Sequence, residues 1–312
     1  MSSESLQLPS FAKINWALHV LGRRADNYHE ISTIFQTVTL HDRLHLTVRS
    51  DERIEILCDV PGIPLDESNL VYGAALALRE RYGVRQGVRV RLEKRIPAGG
   101  GLGGGSSNAA VAMLGLAFLW GIETTAVELA ELGARLGADV PFFFTGGTAR
   151  GKGLGTEVSP LPDAGEVPLV IVTPGVKVLT AEAYKALSAP ALTKDTGDIM
   201  LSISRADAQF PDLLPYHLHN DFERVVLRLE PEIERAKRAL GEAGARISLL
   251  AGSGASVFGI FDNLEAQEHA VRQLRAQGQQ QQQGWRVFSC KAMGRSDYFE
   301  ALGPCADLLK HS

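Results

Sequence analysis

The chain predicts an α+β fold in two domains, on three observations. Residues 1–95 are dominated by segments in which apolar and polar residues alternate, the period of a half-buried strand. Strands and helices then follow one another without the regular alternation of a doubly wound parallel sheet. A turn-rich stretch, Gly155-Thr156-Glu157-Val158-Ser159-Pro160-Leu161-Pro162, divides a chain of 312 residues, long enough for two domains of ordinary size. The expected division is 1–160 and 161–312.

The elements follow in order. Phe11-Ala12-Lys13-Ile14-Asn15-Trp16 alternates, so Lys13 and Asn15 share one strand face. Leu44, Leu46 and Val48 mark a strand, as do Ile54 and Ile56, and Val88, Val90 and Leu92. Leu70, Ala74, Ala77 and Leu78 predict a helix over 69–82. A long apolar run gives a helix over 106–120 that Gly121 stops, and another covers 125–136 before Gly137. In the second half, strands are expected at 169–172, 247–250, 256–261 and 285–289. Helices are expected at 181–187, at 221–240 with an interruption at Pro231, and from the third strand's end to about Ala276. That order suggests a ferredoxin-like domain. The homopolymer run Gln279 to Gln283 reads as a solvated loop insertion without chemistry.

Composition narrows the function. Hydrophobic content of 45% and charged content of 22% describe a soluble globular protein. A net charge of −4 gives no reason to expect a nucleic acid or an anionic membrane as partner. Cys58, Cys290 and Cys305 lack paired spacing and read as reduced thiols of a cytoplasmic protein. The start, Met1-Ser2-Ser3-Glu4-Ser5, has no signal-peptide pattern, and the apolar run 109–120 is too short for a bilayer, which needs roughly 20 residues.

The strongest chemical signal is Pro97-Ala98-Gly99-Gly100-Gly101-Leu102-Gly103-Gly104-Gly105-Ser106-Ser107-Asn108 running straight into an apolar helix. Successive backbone N–H groups beside a helix N-terminus make a seat for a polyanion. Glycine alone allows positive φ and close backbone approach at so many positions. A P-loop is excluded, because Gly105 stands where its lysine belongs. A dinucleotide fingerprint on Gly99, Gly101 and Gly104 fails too: Glu123, at the right distance, precedes a helix instead of ending a strand. The protein-kinase tripeptides His-Arg-Asp and Asp-Phe-Gly do not occur.

That glycine string resembles the second motif of the GHMP kinases, in which it wraps the phosphates of ATP. Ser10-Phe11-Ala12-Lys13-Ile14-Asn15 resembles their first motif, and Leu250-Ala251-Gly252-Ser253-Gly254-Ala255-Ser256-Val257-Phe258 their third. Arg24-Ala25-Asp26-Asn27-Tyr28-His29-Glu30 and Leu136-Gly137-Ala138-Asp139-Val140-Pro141 are similar to the erythritol-kinase branch of that family. The resemblance implies an N-terminal domain like domain 2 of ribosomal protein S5 and a ferredoxin-like C-terminal domain. It implies ATP and Mg2+ as cofactors and a small cytidine diphosphate-linked methylerythritol as acceptor, phosphorylated on its 2-hydroxyl in the non-mevalonate isoprenoid route. The protein is expected to be a monomer or weak homodimer.

Residue by residue, the resemblance makes Asp139 the base that receives the hydroxyl proton; by spacing alone it reads as a helix cap. Lys13 would pair with it and steady the oxygen as it becomes an alkoxide, and Asn15 would line the acceptor site; by themselves the two are a polar strand face. Gly99 to Asn108 would hold the β- and γ-phosphates, with Ser106 or Ser107 adding a hydroxyl to phosphate or magnesium, or else capping the helix. No metal ligand is named. Asn69 and Lys94 would lie near the nucleoside, although Asn69 also reads as a cap and Lys94 as an ordinary strand charge. Tyr28 would stack on the cytosine, His29 would bond its edge, and Tyr184, just after Thr180, would complete the sandwich. Gly252, Ser253 and Gly254 complete the acceptor site. Two departures stand out: Asn27 replaces a glycine, and Ala251 replaces a hydroxyl residue.

Overall fold

The computed structural model describes residues 5–192, 218–280 and 284–310. Two very long strands organise its first half. β1 (Ser5–Arg23) and β2 (His29–Arg49) run antiparallel, with register shifts at Phe11/Ala12, Asn15/Ala17 and Val20/Gly22. β2 serves two neighbours. Its residues 43–49 pair with β4 (Gly87–Glu93), and its residues 31–36 pair with β5 (Thr148–Gly153). β3 (Ile54–Cys58) lies parallel outside β4, β6 (Glu157–Pro160) pairs with β5, and β8 (His219–Asn220) closes the other edge parallel to β1.

Helices cover this sheet. α1 (Leu70–Tyr82), α2 (Gly104–Leu119) and α3 (Ala126–Leu136) precede the short α4 (Phe142–Thr145). Thr125 caps α3 in a capping box with Glu128. α2 has apolar residues on all sides and is almost wholly buried, as expected of a helix that packs on every face.

The second half forms a four-stranded antiparallel sheet from β7 (Pro168–Thr173), β9 (Ile247–Leu250), β10 (Val257–Ile260) and β11 (Arg286–Lys291). The order β11-β7-β10-β9 puts the first strand beside the third and fourth, as in a ferredoxin-like domain. Its helices are α5 (Thr180–Leu187), α6 (Glu223–Leu229), α7 (Pro231–Glu242) and α8 (Leu264–Gln280). The chain ends in α9 (Arg295–Leu302), a 3-10 turn (Gly303–Ala306) and α10 (Asp307–Lys310).

Several boundaries differ from expectation for identifiable reasons. α2 starts two residues early, because Gly103 at φ 67° supplies the left-handed cap. The helix expected over 221–240 is two helices: Glu230 leaves helical geometry at φ −130°, and Pro231 opens α7 where its missing N–H costs nothing. α8 runs past Ala276, so Gln279 and Gln280 are helical and not looped; Gln281, Gln282 and Gln283 lie outside the described residues, as do Met1 to Glu4. The closing helices α9 and α10 had no counterpart in the sequence reading.

Buried side chains gather in three clusters. One lies between the first sheet and α1–α4, and it includes Tyr298, Leu302 and Cys305 from the chain's end. Another lies between the second sheet and its helices and takes in Leu18 and Ile31 of the two long strands. The third joins the sheets: Ala12, Ile14 and Trp16 of β1 meet Ile171, Leu249 and Phe258. Trp16 and Phe258 meet edge to face at 5.8 Å. One face of β1 is thereby committed to apolar packing, and Lys13 and Asn15 project from the other.

Candidate active site

Three cavities lie in a row along that other face. The central one, about 290 Å³, is lined by Lys13, Asn15, Asp139 and Ser106. It shares Gly101, Gly103 and Ser106 with a second cavity of about 330 Å³ built on the glycine loop. It shares Ala138, Leu154, Thr180 and Tyr184 with a third of about 1050 Å³.

Lys13 and Asp139, far apart in the chain, meet in the central cavity with Nζ 3.2 Å from Oδ2. The Lys13 side chain is only 4% exposed, so the strand face carrying it does not face water. Burying an ammonium is costly unless it is paired and hydrogen-bonded. Here Nζ also donates to Asn15 Oδ1 at 2.9 Å and sits 5.4 Å from the centre of the Phe35 ring. Asn15 Nδ2 donates to Thr33 Oγ1 at 2.7 Å, and Thr33 donates to the Ala17 carbonyl at 2.7 Å. Thr33, which the sequence reading missed, thus points the amide oxygen of Asn15 at the ammonium.

Asp139 stands where the chain leaves α3. Gly137 is extended at φ −177°, and Val140 N–H donates back to the Gly137 carbonyl at 3.1 Å. Val140 and Pro141 are buried on the far side, which leaves Asp139 facing the cavity. Pro141, and not Asp139, takes the position before α4, so the cap reading falls.

The glycine loop is wedged between β1 and the turn at 251–254. Lys13 N–H donates to the Leu102 carbonyl at 2.9 Å and Ser256 N–H to the Gly100 carbonyl at 3.1 Å. Gly101 has φ 73°, and a Cβ there would lie 2.0 Å from the Ala251 carbonyl oxygen. Only glycine fits that contact. The turn is held from beneath by Asn220, another residue that sequence reading missed; its Nδ2 donates to the carbonyls of Leu250 and Gly252, each at 2.8 Å. α2 begins at Gly104, so its first amides point at the wall where the two cavities meet.

The two serines part company. Ser106 lines both cavities, whereas Ser107 is fully buried and accepts a hydrogen bond from Ser10 Oγ at 2.7 Å. Neither caps α2. Asn69, Lys94, Pro97, Gly99, Gly100, Gly104, Gly105 and Asn108 line the second cavity. Asn69 does cap α1, accepting from Val71 N–H at 3.0 Å. Lys94 is no ordinary strand charge: it follows β4, is 6% exposed, and pairs with the fully buried carboxylate of Asp42. Asp42 also accepts from the amides of Arg95 and Ile96 at 2.7 and 2.8 Å and from Asn108 Nδ2 at 3.0 Å. An Asp within a strand gives no sign in the sequence of this burial.

Tyr28, His29, Thr180 and Tyr184 share the wall of the third cavity. His29 and Tyr184 stack, with centroids 4.6 Å apart and planes at 17°, and Tyr28 is 63% exposed at the rim. Asn27 has φ 69°, the left-handed turn that asparagine tolerates in place of glycine. Burial, then the charge of Arg23, lowers the His29 pKa below the usual 6.5 and favours the neutral ring. Burial, then Asp139, pushes the Tyr184 phenol up to about 12, so it stays a hydrogen-bond donor. Thr180 Oγ1 and Ser253 Oγ are 2.9 Å apart; Gly252 and Ser253 line the central cavity, while Gly254 packs toward Leu250, Val226 and Val178.

Among the described residues, one group of three His, Cys, Asp or Glu side chains has metal-ligand spacing: His19, His219 and Asp221, which line none of the three cavities.

Comparison with known proteins identifies the family. The family model described as "GHMP kinases N terminal domain" matches residues 69–147, and "GHMP kinases C terminal" matches 203–280. The chain is 39% identical over 273 residues to 4-diphosphocytidyl-2-C-methyl-D-erythritol kinase of Alkaliphilus metalliredigens, covering 87% of this chain and 93% of that one. It is 42% identical over 264 residues to the protein of the same name from Pseudomonas syringae pv. syringae, covering 84% and 88%. A crystal structure of 4-(cytidine 5'-diphospho)-2C-methyl-D-erythritol kinase superposes with a TM-score of 0.72 at 34% identity, covering 93% of this chain and all of that one. Homoserine kinase from Cytophaga hutchinsonii also superposes at 0.72, but at 20% identity over 94% of this chain and 96% of that one, and shares the fold alone.

Proposed function

This chain belongs to the GHMP kinases, among the 4-diphosphocytidyl-2-C-methyl-D-erythritol kinases, and from that premise we propose that it transfers the γ-phosphoryl group of ATP to the 2-hydroxyl of 4-diphosphocytidyl-2-C-methyl-D-erythritol. The observation that carries the reading is the Lys13–Asp139 pair in the central cavity, with the glycine loop on one side and the aromatic cavity on the other.

Phosphoryl transfer needs the nucleophile in line and the phosphate charge neutralised, with little covalent work from the protein. We assign Asp139 to accept the proton of the acceptor hydroxyl on its carboxylate. Lys13, fixed by Asn15, holds that carboxylate and stabilises the oxygen as negative charge grows on it. The amides of Gly103 to Ser106 and the dipole of α2 receive the phosphate tail, while Asn69, Lys94 and Pro97 bound the nucleoside end. Gly252, Ser253, Thr180 and Asn15 frame the acceptor, and Tyr28, His29 and Tyr184 supply aromatic surface for its cytosine. Ser106 at the junction and Asp139 in the central cavity offer hard oxygen donors, which would suit magnesium carried on the phosphates, where it would offset their charge. We place the domain division at residue 160 and read the protein as a cytoplasmic monomer or weak homodimer. No helix among the described residues is long and apolar enough to cross a membrane.

A non-catalytic nucleotide sensor would not need the buried pair. The rival acceptors within the family are mevalonate, homoserine and sugars, and the test is ADP release with each of these, with the cytidyl erythritol and with no acceptor. Release with the cytidyl erythritol alone is expected. Asp139→Asn is expected to lower kcat by about two orders of magnitude or more while ATP still binds. Near-normal turnover in that variant would remove Asp139 from the mechanism.

A further inference from the structure

β8 is only two residues long, and it lies parallel to β1 with His219 opposite Ala17 and Asn220 opposite Leu18. Asp221 extends the pairing, its N–H donating to the Leu18 carbonyl at 3.0 Å. Successive side chains of a strand point to opposite faces. Leu18 and Asn220 turn inward: Leu18 lines the central cavity, and Asn220 holds the turn at 250–252. His19, His219 and Asp221 are therefore delivered together to the opposite face.

There the three side chains converge. The rings of His19 and His219 stack, with centroids 4.8 Å apart and planes at 17°. His219 Nε2 lies 3.0 Å from Asp221 Oδ1. Asp221 Oδ2 accepts from Val20 N–H at 2.8 Å, which anchors the carboxylate to β1 and leaves Oδ1 on the side of the imidazole. One nitrogen from each ring and one carboxylate oxygen all lie within 4.8 Å of one another. Each ring needs to offer only one of its two nitrogens, so the other can keep a hydrogen-bond partner.

A tetrahedral ion with bonds of about 2.0–2.2 Å spaces its ligand atoms about 3.3–3.6 Å apart. The His219–Asp221 pair is close to that spacing already, and side-chain rotation of an exposed histidine closes the rest. Arg224 also reaches Asp221 Oδ1, at 3.3 Å, but its side chain is 64% exposed and can turn into water. The donor set narrows the ion. Two imidazoles with one carboxylate suit zinc, nickel or copper, whereas magnesium and calcium take oxygen ligands.

We propose that His19, His219 and Asp221 bind a divalent ion of the zinc, nickel and copper class, which clips residues 219–222 to β1. The clipped segment carries Asn220, beneath the turn at 250–252, and Phe222, in the wall of the central cavity. The three ligands line none of the three cavities, so the ion is separate from any magnesium carried on ATP, and the site stands whether or not the chain is a kinase.

Zinc titrated calorimetrically into the unmodified, chelator-stripped protein without nucleotide should bind one-to-one, and an excess of magnesium should not displace it. His219→Ala alters an exposed position and should weaken zinc by about tenfold or more, as should Asp221→Asn. His269→Ala, which removes an exposed histidine elsewhere, should leave the affinity unchanged. Saturating zinc should raise the melting temperature of the unmodified protein by about 3 °C or more and that of His219→Ala by less than about 1 °C. No binding to the unmodified protein overturns the proposal, and so does equal affinity in the unmodified protein and His219→Ala, which would put the ion elsewhere.

Discussion

At the scale of single residues, the site depends on polar groups that are buried and satisfied. Lys13 is tolerated inside because its ammonium pairs with Asp139 and donates to Asn15, and Thr33 orients Asn15. The first two partners were legible in the motifs. Thr33 was not, because its role comes from cross-strand packing and leaves no local pattern. The same holds for Asp42 and Asn220. His29 allows a pH test. Its folded pKa is lowered by burial and Arg23, so below 6.5 the unfolded chain takes up the proton first, and stability falls as pH drops through the window between 6.5 and the lowered value. The melting temperature of the wild type should therefore fall further than that of His29→Gln between about pH 7 and about pH 5. Equal falls would mean that the ring is not the desolvated neutral group this packing makes it.

At the scale of elements, the glycine loop works as a fitted part. Its place before a buried helix was readable from composition, because positive φ and close approach are properties of glycine itself. What it fits against was not. Gly101 backs directly onto the Ala251 carbonyl, and the Ser256–Gly100 hydrogen bond locks the same contact. Gly101→Ala combines a strained φ with a backbone clash, so it should cost about 1–3 kcal/mol in urea unfolding and raise the ATP KM about tenfold or more. A variant with both values unchanged would show that the loop is not wedged in this way. Ala251 removes a hydroxyl from the turn, yet contributes a backbone carbonyl to this seat, which any residue supplies.

At the scale of the whole molecule, the row of cavities exists because two sheets share a core through β1, leaving that strand's other face free. The chain's end then returns to the first core. Tyr298 is fully buried, and its hydroxyl donates to the Phe143 carbonyl at 2.6 Å, next to the segment that presents Asp139. Tyr298→Ala should destabilise the protein by about 3–5 kcal/mol, read from urea unfolding; a loss below about 1 kcal/mol would show the tail to be a loose appendage. The sequence alone determined most of the strands and helices, the glycine loop ahead of a buried helix, and the acid and amine that the fold brings together. Those properties reside in short stretches: periodicity, glycine content, motif. Only the tertiary structure decided that Ser106 and not Ser107 faces the cavity, that His29 stacks on Tyr184, and that Lys94 meets the buried Asp42. Each of these turns on which side of an element packs and what meets it there, and distant parts of the chain set that jointly.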